Sequence, residues 1–194
     1  MNTKSPTLIL FTVITTFFIN GCQAPPPQTS TYNPKASAYN IQLGLGYLKQ
    51  GNRQRAKQKL LTAVAEAPNS PYANEALAYY FENTHEVNQA ENYYQKAITL
   101  APKSGAILNN YATFLCRHKH YKEALYYFSK AAADSEYINT ALAYKNAGFC
   151  AKAAHDTVLA KKYFKQALEQ DPSLKQAREE LNQLNNYHDA RNSH

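Results

Sequence analysis

The chain has 194 residues, 44% of them hydrophobic, with 21 Lys+Arg against 14 Asp+Glu, three Cys, 16 Tyr and no Trp. That composition excludes a disulfide mini-protein, a collagen-like or low-complexity chain and an intrinsically disordered one. The net charge of +7 would suit a nucleic-acid binder, but its placement argues otherwise. Lys4, Lys35, Lys49, Arg53, Arg55, Lys57 and Lys59 all precede Glu66, the first acid in the chain, and from there 14 bases balance 14 acids. The excess is one local basic surface, and no nucleic-acid partner is expected.

Lys4 precedes an uncharged run over residues 7–19. At about 1.5 Å per residue this run falls short of a ~30 Å hydrocarbon core, so residues 1–21 read as a signal peptide rather than a membrane span. The run ends in Ile19-Asn20-Gly21-Cys22, which resembles the bacterial lipobox, where small neighbours let the processing enzyme reach a thiol that takes the lipid. The resemblance implies a lipid on Cys22, and Gln23 rather than Asp after it implies sorting to the periplasmic face of the outer membrane. Acyl chains contribute roughly 0.8 kcal/mol per buried CH₂, enough for an anchor without a transmembrane helix. Residues 22–36 include Ala24-Pro25-Pro26-Pro27-Gln28-Thr29-Ser30 and read as an extended tether.

Beyond the tether the sequence repeats. Ala56, Ala90 and Ala124 lie 34 residues apart, as do Ala63, Ala97 and Ala131, and Leu60, Tyr94 and Phe128. Ala160, Phe164 and Ala167 continue these rows after 36 residues, which places an insertion of about two residues near 134–140. The period resembles the tetratricopeptide repeat, a helix-turn-helix unit of 34 residues. Gly44, Ala78, Ala112 and Gly148 on the first helices, with the matching Ala56, Ala90, Ala124 and Ala160, let two helices approach closely while the bulky rows fill the gap. The expected fold is therefore all-α, a superhelix of about four units over residues 37–187. The units fall at 37–70, 71–104, 105–140 and 141–172, with Pro68, Pro102 and Pro172 closing three of them. Leu174, Ala177, Leu181 and Leu184 then recur at helical spacing, predicting a capping helix over 173–187 and a tail over 188–194.

Little in the chain points to catalysis. His85, His118, His120 and His155 fall at or beside the turn within a unit, and no HExxH, CxxC, GxSxG or P-loop accompanies them. No metal, no cofactor and no enzymatic activity are expected. Cys116 and Cys150 lie on the first helices of adjacent units. With Cys22 acylated they form an even pair in an oxidising compartment, so a disulfide is expected, contributing about 3–4 kcal/mol by closing its loop. Two buried free thiols are the alternative.

By the tetratricopeptide pattern a concave groove is lined by first-helix residues, here Ile41, Leu45, Leu48, Tyr72, Glu75, Tyr79, Asn109, Thr113, Lys145 and Phe149. This mixture of apolar, aromatic and amide groups suits a peptide or helix better than a phosphate backbone. Lys49, Arg53, Arg55, Lys57 and Lys59 surround the turn and second helix of the first unit. They are open to three readings: a solvated face, a contact with anionic lipid, or a dock for an acidic partner segment.

A lipobox, a short Pro-rich tether and about four tetratricopeptide units together resemble the type IV pilus biogenesis lipoproteins, the pilotin family of PilF and PilW. The segments carrying the resemblance are Leu108-Asn109-Asn110-Tyr111-Ala112-Thr113-Phe114-Leu115-Cys116, Tyr121-Lys122-Glu123-Ala124 and Asn146-Ala147-Gly148-Phe149-Cys150. The chain departs from the pattern at Ala112, where Gly is frequent, and at Lys145, where an acid is common. The resemblance implies a non-enzymatic protein that binds the outer-membrane secretin of the pilus and assists its localisation and multimerisation, or stabilises the fibre; a monomer by itself is expected, though the sequence does not fix the oligomeric state. An outer-membrane adaptor scaffolding peptidoglycan hydrolases is the alternative.

Overall fold

A computed structural model describes residues 32–192. The expected signal segment 1–21, Cys22 and most of the tether lie outside the described residues. Within them the chain forms α1 (Pro34–Lys49), α2 (Arg53–Glu66), α3 (Pro71–Asn83), α4 (Val87–Leu100), α5 (Gly105–Arg117), α6 (Tyr121–Ala132), α7 (Thr140–Ala153), α8 (Thr157–Gln170) and α9 (Lys175–Asn192). Each odd helix from α1 to α7 packs antiparallel on the even helix after it, and successive pairs stack into an all-α tetratricopeptide superhelix. Among the described residues no helix is long and apolar enough to cross a membrane.

Helix α1 starts inside the segment assigned to the tether. The Asn33 side chain accepts from the Ala36 N–H at 3.0 Å, and Pro34 takes the first helical position, where its missing N–H leaves no bond unmade. The Asn33 N–H donates to the Glu66 carbonyl at 2.9 Å, tying the start of α1 to the end of α2. At the other end α9 continues to Asn192, through most of the segment expected as tail.

The turn within each unit repeats as faithfully as the core. Gly51, His85, Lys119 and His155 have φ of 76°, 64°, 66° and 62°. The next residue in each case, Asn52, Glu86, His120 or Asp156, donates its N–H 2.9 Å back to the carbonyl of Tyr47, Phe81, Leu115 or Ala151. This is a Schellman ending, in which a left-handed residue lets the chain satisfy the last carbonyls of a helix. Two of the histidines thus occupy backbone-determined turn positions.

Ala56, Ala90, Ala124 and Ala160 are fully buried, with Leu60, Tyr94, Phe128 and Phe164 packed beside them. A Cβ on Gly148 would fall 2.6 Å from the Phe164 ring, so close approach of α7 to α8 requires the glycine. The longer connection over 133–139 turns back onto α5. The Asp134 carboxylate accepts the Gly105 N–H at 2.7 Å, replacing the cap that Ser104 does not supply, and Tyr137 packs over Gly105. At the C-terminal end Ala177 and Leu184 of α9 are buried against the cluster of Ala160, Phe164 and Ala167.

Candidate functional site

The first helices of the units face the inside of the superhelix, and between α1, α3 and α5 they leave a cavity of about 590 Å³. Ile41, Leu45 and Leu48 of α1 form one wall; Tyr72, Ala76 and Tyr79 of α3 form the floor. Glu75, Glu82, Asn110, Thr113 and Arg117 supply polar groups on the far side, and Lys49 stands at the end of α1. Tyr72 is 57% and Tyr79 42% exposed, although both are large amphipathic rings. Such side chains left uncovered in a concave surface mark a place where another chain can bury them.

Seven of the ten residues expected in the groove line this cavity: Ile41, Leu45, Leu48, Tyr72, Glu75, Tyr79 and Thr113. Phe149 lines a second, shallower depression of about 410 Å³ that also includes Thr113, Asn146 and Cys150. Asn109 is placed differently. It is only 4% exposed, with its Oδ1 accepting from Asn146 Nδ2 at 3.1 Å, so it fastens α5 to α7 instead of meeting a ligand. Lys145 is half-buried and lines neither depression. The repeat frame treats every row as equally open, but the neighbouring helix covers Asn109. Ala76, Glu82, Asn83, Tyr94, Asn110 and Arg117 also line the groove without having been expected there. Lys49, Asn83 and Arg117 are 34 residues apart, so extending the first-helix rows to the final helical turn would have found two of these six.

A ladder of polar ties runs along the first helices. Asn110 Nδ2 donates to Glu75 Oε1 at 2.8 Å, and Arg117 Nη1 pairs with Glu82 Oε1 at 2.8 Å, both joining α3 to α5. The Tyr94 hydroxyl donates to Glu82 Oε2 at 3.2 Å. Cys116 and Cys150 form a disulfide between α5 and α7, with Cα atoms 5.8 Å apart. Lys152 pairs with Glu180, joining α7 to α9. Burial raises the Glu75 carboxyl above the usual carboxylate range, and the bond from Asn110 partly offsets it. Burial, reinforced by the charges of Glu82 and Glu75, pushes the Tyr94 phenol up as well.

The basic cluster lies at the first unit's turn and along α2. Arg53 and Arg55 are exposed, while Lys57 and Lys59 are half-buried. Arg55 lies over the Tyr47 ring at 5.6 Å and Lys57 over the Phe81 ring at 5.5 Å. Among the described residues none of Lys49, Arg53, Arg55, Lys57 and Lys59 forms an ion pair. No group of three or more His, Cys, Asp or Glu is placed to hold a metal ion among the described residues.

A tetratricopeptide-repeat family model matches residues 93–126, from within α4 to within α6. The type IV pilus assembly protein PilF of Pseudomonas aeruginosa is 32% identical over 168 residues, which is 87% of this chain and 67% of that protein. The solved structure of Pseudomonas aeruginosa PilF superposes with a TM-score of 0.72 at 33% identity, covering 77% of this chain and 67% of that one. The crystal structure of PilW, described as a widely conserved type IV pilus biogenesis factor, also gives 0.72, at 27% identity over 78% of this chain and 70% of that one.

Proposed function

The chain belongs to the PilF/PilW family of type IV pilus biogenesis proteins built from tetratricopeptide repeats, and on that premise we propose that it is an outer-membrane pilotin. In this reading an acyl group on Cys22 holds the protein at the periplasmic face of the outer membrane. The α1/α3/α5 groove binds a segment of the pilus secretin and promotes its localisation and multimerisation into a ring. The role is non-enzymatic: the protein lowers the free energy of assembly by binding.

The observation that carries this reading is the open groove. Covering Leu45, Leu48 and Ile41 removes apolar side chains from water at roughly 1.5–3 kcal/mol for each one fully buried. The exposed faces of Tyr72 and Tyr79 add contact area with little rotamer entropy to lose. Anchoring adds to this, because a lipidated protein and a membrane-bound secretin meet at high effective concentration, so modest groove affinity suffices.

Mild-detergent purification of the lipidated protein from native membranes tests the proposal, with Leu45→Asp and Cys22→Ala chains beside the natural one. The secretin is expected to co-purify with the natural chain, to be lost with Leu45→Asp, and to be mislocalised with Cys22→Ala. Recovery of cell-wall hydrolases in place of the secretin would move the function to an envelope adaptor. Secretin rings assembling normally beside the Cys22→Ala chain would remove the anchor from the mechanism.

A further inference from the structure

We infer that the segment bound in the groove carries a run of acidic residues at the end that leaves past Lys49, and that these acids dock on Lys49, Arg53 and Arg55 at the α1–α2 turn. The inference rests on the groove reading and adds the chemistry and direction of the partner. Lys49 is the last residue of α1 and lines the groove cavity; Arg53 opens α2 across the turn at 50–52. The basic cluster is therefore continuous with one mouth of the groove.

What distinguishes this turn is that, among the described residues, none of its cations is in an ion pair. In the same row as Lys49, Arg117 is paired with Glu82, and the Asn83 side chain donates to the Tyr79 carbonyl at 2.8 Å. Glu82 and Glu86 flank the α3–α4 turn, Glu123 faces His120 at the α5–α6 turn, and Asp156 caps α8 beside the Lys152–Glu180 pair. The α1–α2 hairpin supplies no such carboxylate of its own, since its one acid, Glu66, ends α2 away from the turn. Lys49 complements the carbonyl end of α1, and the Tyr47 ring positions Arg55. Both effects place the cations without neutralising them. Like charges kept this close repel one another until an anionic partner arrives.

A protein segment fits this surface better than a lipid headgroup. The tether joins the fold at Asn33, bonded to the Glu66 carbonyl, at the end of the α1–α2 hairpin away from the turn. Sixteen residues of α1 separate the two ends, about 24 Å at helical rise. The cluster thus stands at the end of α1 remote from the tether, and Lys49 lines the groove cavity, so a segment lying along Ile41, Leu45 and Leu48 runs directly onto it.

Overlapping peptides covering the periplasmic part of the same organism's pilus secretin are the probe. They are titrated by fluorescence anisotropy against the full chain carrying Cys22→Ala, alone or with Lys49→Glu/Arg53→Glu or Leu45→Asp, and circular dichroism checks the fold of each. The peptides that bind are expected to place acidic residues beside an apolar run. Charge reversal should weaken them about tenfold at low salt and far less at high salt, and Leu45→Asp should abolish binding. Peptides that bind without acids, or bind the charge-reversed chain equally, would overturn the inference and leave the groove reading standing. If no peptide binds the parent chain, the secretin-groove reading itself fails and takes the inference with it. Phosphatidylglycerol vesicles that bind the parent chain through Lys49 and Arg53, uncompeted by acidic peptides, would assign the cluster to lipid.

Discussion

The first helices meet in two different ways along the superhelix. From α3 onward each is fastened to the next by polar or covalent groups: Asn110 to Glu75, Arg117 to Glu82, Asn146 to Asn109, Cys116 to Cys150, and Lys152 to Glu180. Between α1 and α3, among the described residues, no side-chain hydrogen bond, ion pair or disulfide does the same. Ile41, Leu45 and Leu48 instead face the cavity beside Tyr72 and Tyr79. The difference teaches that the groove has one tied side and one untied side: Glu75–Asn110 and Glu82–Arg117 join α3 to α5 along its lining, while the α1 wall meets α3 through apolar side chains. Apolar contacts are non-directional and tolerate sliding, whereas a hydrogen-bond ladder holds one register. The α1 wall can therefore adjust to a bound segment while α5, α7 and α9 hold the frame.

Replacing Cys116 and Cys150 together by Ser should bring the fastened half closest to the loose one. A loss of about 3–4 kcal/mol is expected in urea unfolding, with amide exchange in α7 rising toward that of α1. Exchange in α7 that stays well below α1 after the substitution would locate the rigidity in the hydrogen bonds instead. Gly105→Ala tests the next joint. Its Cβ would lie 2.6 Å from Tyr137 and 2.9 Å from the Ala131 carbonyl oxygen, which cannot rotate away, so a loss of about 1–3 kcal/mol is expected.

Gly46→Ala should act in the opposite direction. Beyond the helix's own backbone and its chain neighbours no atom lies within 4 Å of an added Cβ there, in the last turn of α1, so the helix gains up to about 0.5–1 kcal/mol from propensity alone. A thermal melt in which this variant is less stable than the parent would show that α1 is more closely packed than its contacts indicate. The smallest effect belongs to Glu75. Because burial raises its carboxyl, the folded chain holds that proton more tightly than the unfolded one. The stability it contributes is present at low pH and is lost as pH rises through the folded value. Glu75→Gln does not titrate and still accepts from Asn110, so it should melt about a degree or two higher at neutral pH, with the gap closing in acid.

The fold was legible because the repeat states its packing four times. Ala56, Ala90, Ala124 and Ala160 alternate with Leu60, Tyr94, Phe128 and Phe164 at a spacing only a helix pair explains. The groove was partly legible from the same rows. Asn109 is not legible that way, since it is buried and bonded to Asn146 of α7, the first helix of the next unit, a contact between residues 37 apart. The start of α1 was legible in principle from Asn33-Pro34, an N-cap followed by the residue best suited to the first helical position. The histidines at 85 and 155 read as turn residues, and their positive φ adds the reason: each fills a place that Gly51 fills in the first unit.

The connection at 133–139 limits how this protein could have grown. Asp134 and Tyr137 belong in sequence to the end of the third unit, yet they cap and seal the beginning of that same unit at Gly105. A gene duplication copying this unit whole would carry both halves of the contact, whereas a crossover between α5 and the loop would separate them. The Gly105 amide would lose its carboxylate and Tyr137 the glycine it packs on. The third unit is thus one structural block, and lengthening of the array should be less disruptive at the four-residue connections 67–70 and 101–104 than within it.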